Sequence, residues 1–133
     1  IDPFDAAGEE GSREIYLAHR GDSPLLDQFT QRMRTLGVAD KIQVLRGYST
    51  QFVGQIPRID LLFIDGNHSI DGCGFDYLNY GPALVPGGYI AIHDYDPRRK
   101  DLGPTWVIEQ KIMPSGHIRK LRVYDSLWVG QKL

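Results

Sequence analysis

Apolar and polar positions change period several times along the chain, and each change predicts an element. Over SPLLDQFTQRMRTLG (23–37), Leu25, Leu26, Phe29, Met33 and Leu36 recur at helical spacing. Ser23 suits the cap, Pro24 the first helical position and Gly37 the stop. KIQVLRG (41–47) alternates and predicts a short strand, and STQFVGQI (49–56) a short helix. IDLLFID (59–65) and YIAIHDY (89–95) are nearly continuous apolar strands. Between them runs a helix over 72–85 with Phe75, Leu78 and Leu84 inward, and Pro86-Gly87-Gly88 breaks the chain. PTWVIEQKIM (104–113) predicts a third helix. HIRKLRVY and LWVGQKL form a hairpin around Asp125-Ser126. The polar, aperiodic AAGEEGSRE (6–14) reads as a loop.

Strands alternating with helices imply crossover connections and a parallel sheet. The apolar runs 61–64 and 89–92 lack alternation, which predicts strands covered on both faces. The expected architecture is α/β: an open, doubly wound, mostly parallel sheet in a single domain over 1–133, closed at one edge by a C-terminal antiparallel hairpin.

Charge narrows the partners. The formal net charge is −2 over 133 residues, so no global basic field draws the chain to nucleic acid. The local clusters DPRRKD (96–101) and HIRKLR (117–122) read as solvated charge. No apolar run reaches the roughly 18 residues of a membrane span, so no membrane partner is expected. The single cysteine, Cys73, excludes an intrachain disulfide, reads as a small packing residue and favours a reducing, cytoplasmic setting. Trp106 and Trp128 read as core or interface. The chain opens without Met, on Ile1-Asp2-Pro3, as the interior of a longer protein would.

The candidate chemistry sits at the strand ends. In open parallel sheets ligands bind beyond the carboxyl ends of the strands, and both apolar strands end in a carboxylate, Asp65 and Asp94. If the strands are neighbours they lie about 4.8 Å apart and both carboxylates face one pocket. Two carboxylates that close need a shared proton or a cation between them, and oxygen ligands favour Mg²⁺, Ca²⁺ or Mn²⁺. Gly66 allows a sharp turn, and His68 on the same rim is a candidate general base. Read blandly, Asp65 caps the next turn, His68 is an idle loop residue and Asp94 with His93 serves a turn before Pro97. Asp71 reads as the N-cap of the 72–85 helix.

The segment IDLLFIDGNHSIDGCGFDYLNYGPALVPGGYIAIHDYD resembles the class I S-adenosylmethionine-dependent methyltransferases, in the branch with an I-D-G-x-H-S motif and P-G-G followed by H-D-Y. The resemblance implies a Rossmann-like fold. It implies that Asp2, in IDPFD, holds the ribose hydroxyls of the cofactor, and that Gly47, Tyr48 and Ser49 flank its adenine. It implies that Asp65 and Gly66 lie beside the methionine part, that Asp65, Asp94 and His93 form the metal position, and that His68 with Asp65 is catalytic. The cofactors implied are S-adenosylmethionine and, as a candidate, Mg²⁺; His93 is a poorer Mg²⁺ ligand than the acidic residue some members carry there. The sequence departs from the family in having no glycine-rich strand-to-helix loop of the E-x-G-x-x-x-G kind, so the first strand is expected to be missing. A sheet lacking it would expose inner edges, for which a homo-oligomer is a candidate cover.

Three functions compete. The first is an S-adenosylmethionine-dependent O-methyltransferase acting on a small-molecule acceptor. The second is a non-catalytic, truncated methyltransferase-like module. The third is a metal-dependent hydrolase or hydroxylase on a similar sheet. DPRRKDLGPTW (96–106) is the candidate substrate-side loop, where Arg98, Arg99 and Lys100 would meet an anionic acceptor.

Overall fold

The computed structural model describes residues 1–5, 14 and 24–133. Ser23 and the predicted 6–14 loop, apart from residue 14, lie outside them. The chain divides into two compact units, Ile1–Phe52 and Val53–Leu133.

The first unit contains helix α1 (Leu25–Thr35), capped by Pro24 and followed by Gly37, whose φ of 70° ends it. The helix is where its period places it, yet none of its residues is buried. Phe29 instead meets Phe4 in a tilted ring pair, with centroids 5.5 Å apart. The strand predicted over 41–47 reduces to one parallel bridge between Asp2 and Arg46. The helix predicted over 49–56 is a single 3₁₀ turn, Ser49–Gln51. Short alternating segments hold no regular structure unless a neighbour completes the ladder.

The second unit is an α/β layer. Its strands are β1 (Ile59–Ile64), β2 (Leu84–Ile92), β3 (Ile118–Tyr124) and β4 (Leu127–Lys132), in the order β1-β2-β4-β3. The β1–β2 ladder is parallel, while β2–β4 and β3–β4 are antiparallel. The sheet is therefore mixed rather than mostly parallel among the described residues. Helix α2 (Ile70–Tyr80) crosses over between β1 and β2. Helix α3 (Gly103–Val107) runs on through a π turn (Ile108–Ile112) into α4 (Met113–Ser115), and Gly116 ends it at a φ of 69°. None of the helices in the described residues is long and apolar enough to cross a membrane.

Ile64, Ile90, Ile92 and Trp128 project from the sheet onto Cys73, Tyr80, Val107, Ile108 and Ile112 of the helices, and together they form the core. The opposite face differs from expectation. Leu61 and Phe63 are 63% and 56% exposed, so this apolar run is buried on one side only. Pro86-Gly87-Gly88 also departs from the reading as a break, because β2 passes straight through it. The β1–β2 register jumps there, from Ile59↔Leu84 to Leu61↔Tyr89. Gly87 takes a φ of 79°, and the segment is a bulge that absorbs the extra residues and a proline with no amide to donate. The terminal hairpin turns at Asp125-Ser126, where Asp125 takes a positive φ of 55°.

Burial pushes the Cys73 thiol up to about 12, as its packing role requires. Ile92 is fully buried at the centre of the sheet. Ile92→Ala should destabilise the chain by about 2–5 kcal/mol in urea unfolding, through lost transfer energy and the cavity left behind.

Candidate functional site

The end of the parallel ladder positions the site. Ile64 pairs with Ile92, and the His93 amide donates to the Ile64 carbonyl at 3.0 Å, so the two chains stay abreast one residue past the strands. Asp65 then follows on one chain, with His93 and Asp94 on the other. Asp94 has a φ of 58°, a left-handed conformation uncommon outside glycine, and it ends the strand short of the predicted Tyr95. Such backbone outliers cluster where the surrounding structure holds them for function.

Two neighbours lock these loops. Ser69, rather than Asp71, caps α2: its hydroxyl accepts from the Gly72 amide at 3.0 Å, and Asp71 falls in the first turn. The Gly103 amide donates to the His68 carbonyl at 2.7 Å. A Cβ on Gly103 would collide with the Ser69 carbonyl, so only glycine lets the two loops touch. On the far side, the buried Thr105 hydroxyl donates to the Asp96 carbonyl at 2.8 Å and accepts from its amide at 3.2 Å. The Tyr95 amide donates to the Ser126 carbonyl at 2.9 Å, which brings the hairpin turn to the site.

The result is two carboxylates shared between two imidazoles. His68 Nε2 lies 3.0 Å from Asp94 Oδ2 and 4.0 Å from Asp65 Oδ1. His93 Nδ1 lies 3.1 Å from Asp94 Oδ2 and 3.2 Å from Asp65 Oδ1. Ser126 Oγ stands 3.3 Å from His93 Nε2. One donor atom each from Asp65, His68 and Asp94 falls within 4.8 Å of the others, a spacing that fits a divalent cation. His93 is not in that set; it sits against both carboxylates instead. A cleft of about 360 Å³ opens beside the cluster, lined by His68, Asp94, Tyr95, Asp96, Arg99, Leu102 and Ser126. Burial first, and the neighbouring Glu109 second, push the Tyr95 phenol up from its ordinary range.

The structure thus brings together Asp65, His68, His93 and Asp94 of the sequence-based candidates. Gly66 lies between them without a left-handed φ, and a Cβ there would sit at ordinary contact, 3.4 Å from Asp76 Oδ2. Asp2, Gly47, Tyr48 and Ser49 belong to the first unit, where they form one locality. The Asp2 amide donates to the Leu45 carbonyl at 3.2 Å, and the Gly47 amide to the Asp2 carbonyl at 3.0 Å. Asp2 Oδ1 accepts from the Phe4 amide at 2.6 Å, and the carboxylate is exposed. Gly47 is explained locally: Gln51 occupies the place of its missing Cβ while accepting from the Tyr48 amide at 2.8 Å. The Tyr48 hydroxyl donates to Asp5 Oδ2 at 2.6 Å, and that bond raises its pKa. Sequence reasoning missed Ser126, Gly103 and Thr105. Ser126 carried a turn signal, but nothing local said that its turn returns beside β2.

A family described as "Methyltransferase domain" matches residues 2–95, which is most of the chain. The chain belongs to that family. S-adenosylmethionine is the methyl donor that the family implies. Among solved structures, the O-methyltransferase NovP is similar, with a TM-score of 0.65 and 20% identity over 99% of this chain. This likeness shows the α/β methyltransferase fold. The chain spans 55% of the NovP chain.

The loop after β2 is charge-balanced. The Arg98 guanidinium forks onto Asp96 at 2.9 and 3.0 Å and holds that carboxyl down at about 2. This ion pair is complete above the ordinary carboxylate value and is lost as pH falls through the lowered one. Titration of the Asp96 carboxyl by NMR should show a midpoint near 2, and Arg98→Gln should move it back toward 3.8. At the far end of this loop, Gly103→Ala should destabilise the chain by about 1–3 kcal/mol through overpacking and shift the His68 ring resonances.

Proposed function

We propose that the protein transfers a methyl group from S-adenosylmethionine to a hydroxyl of a small acceptor, assisted by a divalent cation such as Mg²⁺ held at Asp65 and Asp94. In this reading the sheet is part of a doubly wound, mostly parallel one. The observation that carries the proposal is that His68 lines the cleft while its Nε2 lies 3.0 Å from Asp94 Oδ2. Bound donor supplies an electrophilic methyl, and a bound cation lowers the pKa of the acceptor hydroxyl. His68, whose ring lines the cleft, takes the hydroxyl proton as the oxygen becomes the nucleophile. Asp94 stabilises the imidazolium that forms, and His93, backed by Ser126, holds both carboxylates in place. Asp2 binds the ribose, while Gly47, Tyr48 and Ser49 flank the adenine. Positioning of the acceptor oxygen supplies much of the rate.

A non-catalytic module is the second reading. Calorimetric titration with S-adenosylhomocysteine, together with Mn²⁺ binding followed by electron paramagnetic resonance, separates the two. The methyltransferase reading expects micromolar binding of S-adenosylhomocysteine, weakened at least tenfold by Asp2→Ala. It expects Mn²⁺ binding that Asp65→Asn abolishes. A folded chain that binds neither ligand overturns it in favour of the module. With an acceptor in hand, His68→Ala should lower kcat by roughly 10²- to 10⁴-fold and leave S-adenosylhomocysteine affinity unchanged.

A further inference from the structure

We infer that the cleft beside His68 takes an acceptor carrying an anionic group, a carboxylate or a phosphate, which Arg99 holds while the acceptor hydroxyl faces His68. The inference rests on the methyltransferase reading above and names its substrate class. Three cations stand on the loop after β2, and the structure gives them different tasks. Arg98 forks onto Asp96, whose backbone Thr105 pins. Lys100 contacts both oxygens of Glu109, at 2.6 and 2.7 Å. Arg99 is the member of the three that lines the cleft, together with His68 and Asp94.

Its backbone is fixed, and its head pairs at the surface. The Arg99 amide donates to the Asp96 carbonyl at 2.9 Å, and its own carbonyl accepts from Leu102 at 3.3 Å. Its guanidinium forks onto Asp101 at 2.8 and 3.1 Å, and the two side chains are 55% and 68% exposed. An exposed pair of this kind contributes little in water, because both partners stay solvated. Replacing Asp101 by a ligand carboxylate or phosphate keeps the fork geometry and moves it to the cleft wall, where the dielectric is lower.

Asp96 is paired with Arg98, which leaves Asp94 as the carboxylate of the lining that Arg99 must outweigh. Leu102 offers an apolar patch. About 360 Å³ is at the small end of ligand pockets and suits a molecule the size of one sugar ring.

The test compares glucose, glucuronate and glucose 6-phosphate, which share ring hydroxyls and differ in charge, binding to the full chain saturated with S-adenosylhomocysteine. At least one anionic sugar should bind roughly tenfold more tightly than glucose at low salt, and whichever gains identifies carboxylate or phosphate. Arg99→Gln should erase the advantage, while Lys120→Gln, on the exposed side of β3, should keep it. Equal binding of all three sugars, or an advantage that survives Arg99→Gln, overturns the inference. If S-adenosylhomocysteine binds while the advantage is absent, the anion site alone fails. If S-adenosylhomocysteine does not bind, the methyltransferase reading fails first.

Discussion

The parallel pairing of β1 with β2 is the constraint on which the site depends. Strands about 4.8 Å apart in register bring whatever follows their last residues into contact. Ile64 and Ile92 are partners, so Asp65 and the His93–Asp94 pair emerge side by side. The register is held from below by the one-sided core. A slip of one residue would turn Ile90 and Ile92 out of it and move the carboxylates apart.

Around that ladder, the site is fixed by loops pressed together rather than by long elements. Gly103 lets its own loop lie against His68 and Ser69, and Thr105 fastens the other end of the same loop to Asp96. Asp94 accepts a left-handed φ between them. The cost of that backbone is offset by the pairings its side chain makes with two imidazoles. The cleft therefore has a hydrogen-bonded wall on the β2 side, and Arg99 stands on it.

Much of the second unit was legible in sequence. The apolar runs of β1 and β2, the presence of a helix between them and the terminal hairpin follow from period and turn chemistry. The inward face read for that helix does not, since Leu78 is 58% exposed and Leu84 begins β2. Other details were not legible because they turn on contacts between distant residues. Helix α2 takes Ser69 as its cap because the Ser69 hydroxyl, three residues before the Gly72 amide, reaches it; Asp71 lies inside the turn. Pro86-Gly87-Gly88 reads as a break, yet neighbours on both sides hold β2 together through a bulge. The 41–47 segment alternates as a strand should, but keeps one bridge for want of a longer partner.

The sequence by itself determined the residue types at the strand ends, the family signature around them and the charge of the loop beyond. These are local properties, fixed by composition and spacing. Tertiary structure decided which of these groups meet. It placed Ser126 behind His93, 33 residues away. It set His93 against both carboxylates while leaving His68, Asp65 and Asp94 as the set that could share a cation. It also sorted three adjacent cations into two that staple the loop and one that lines the cleft. Side-chain direction at a loop depends on the carboxylates that the fold brings within reach, and no period in the chain encodes that.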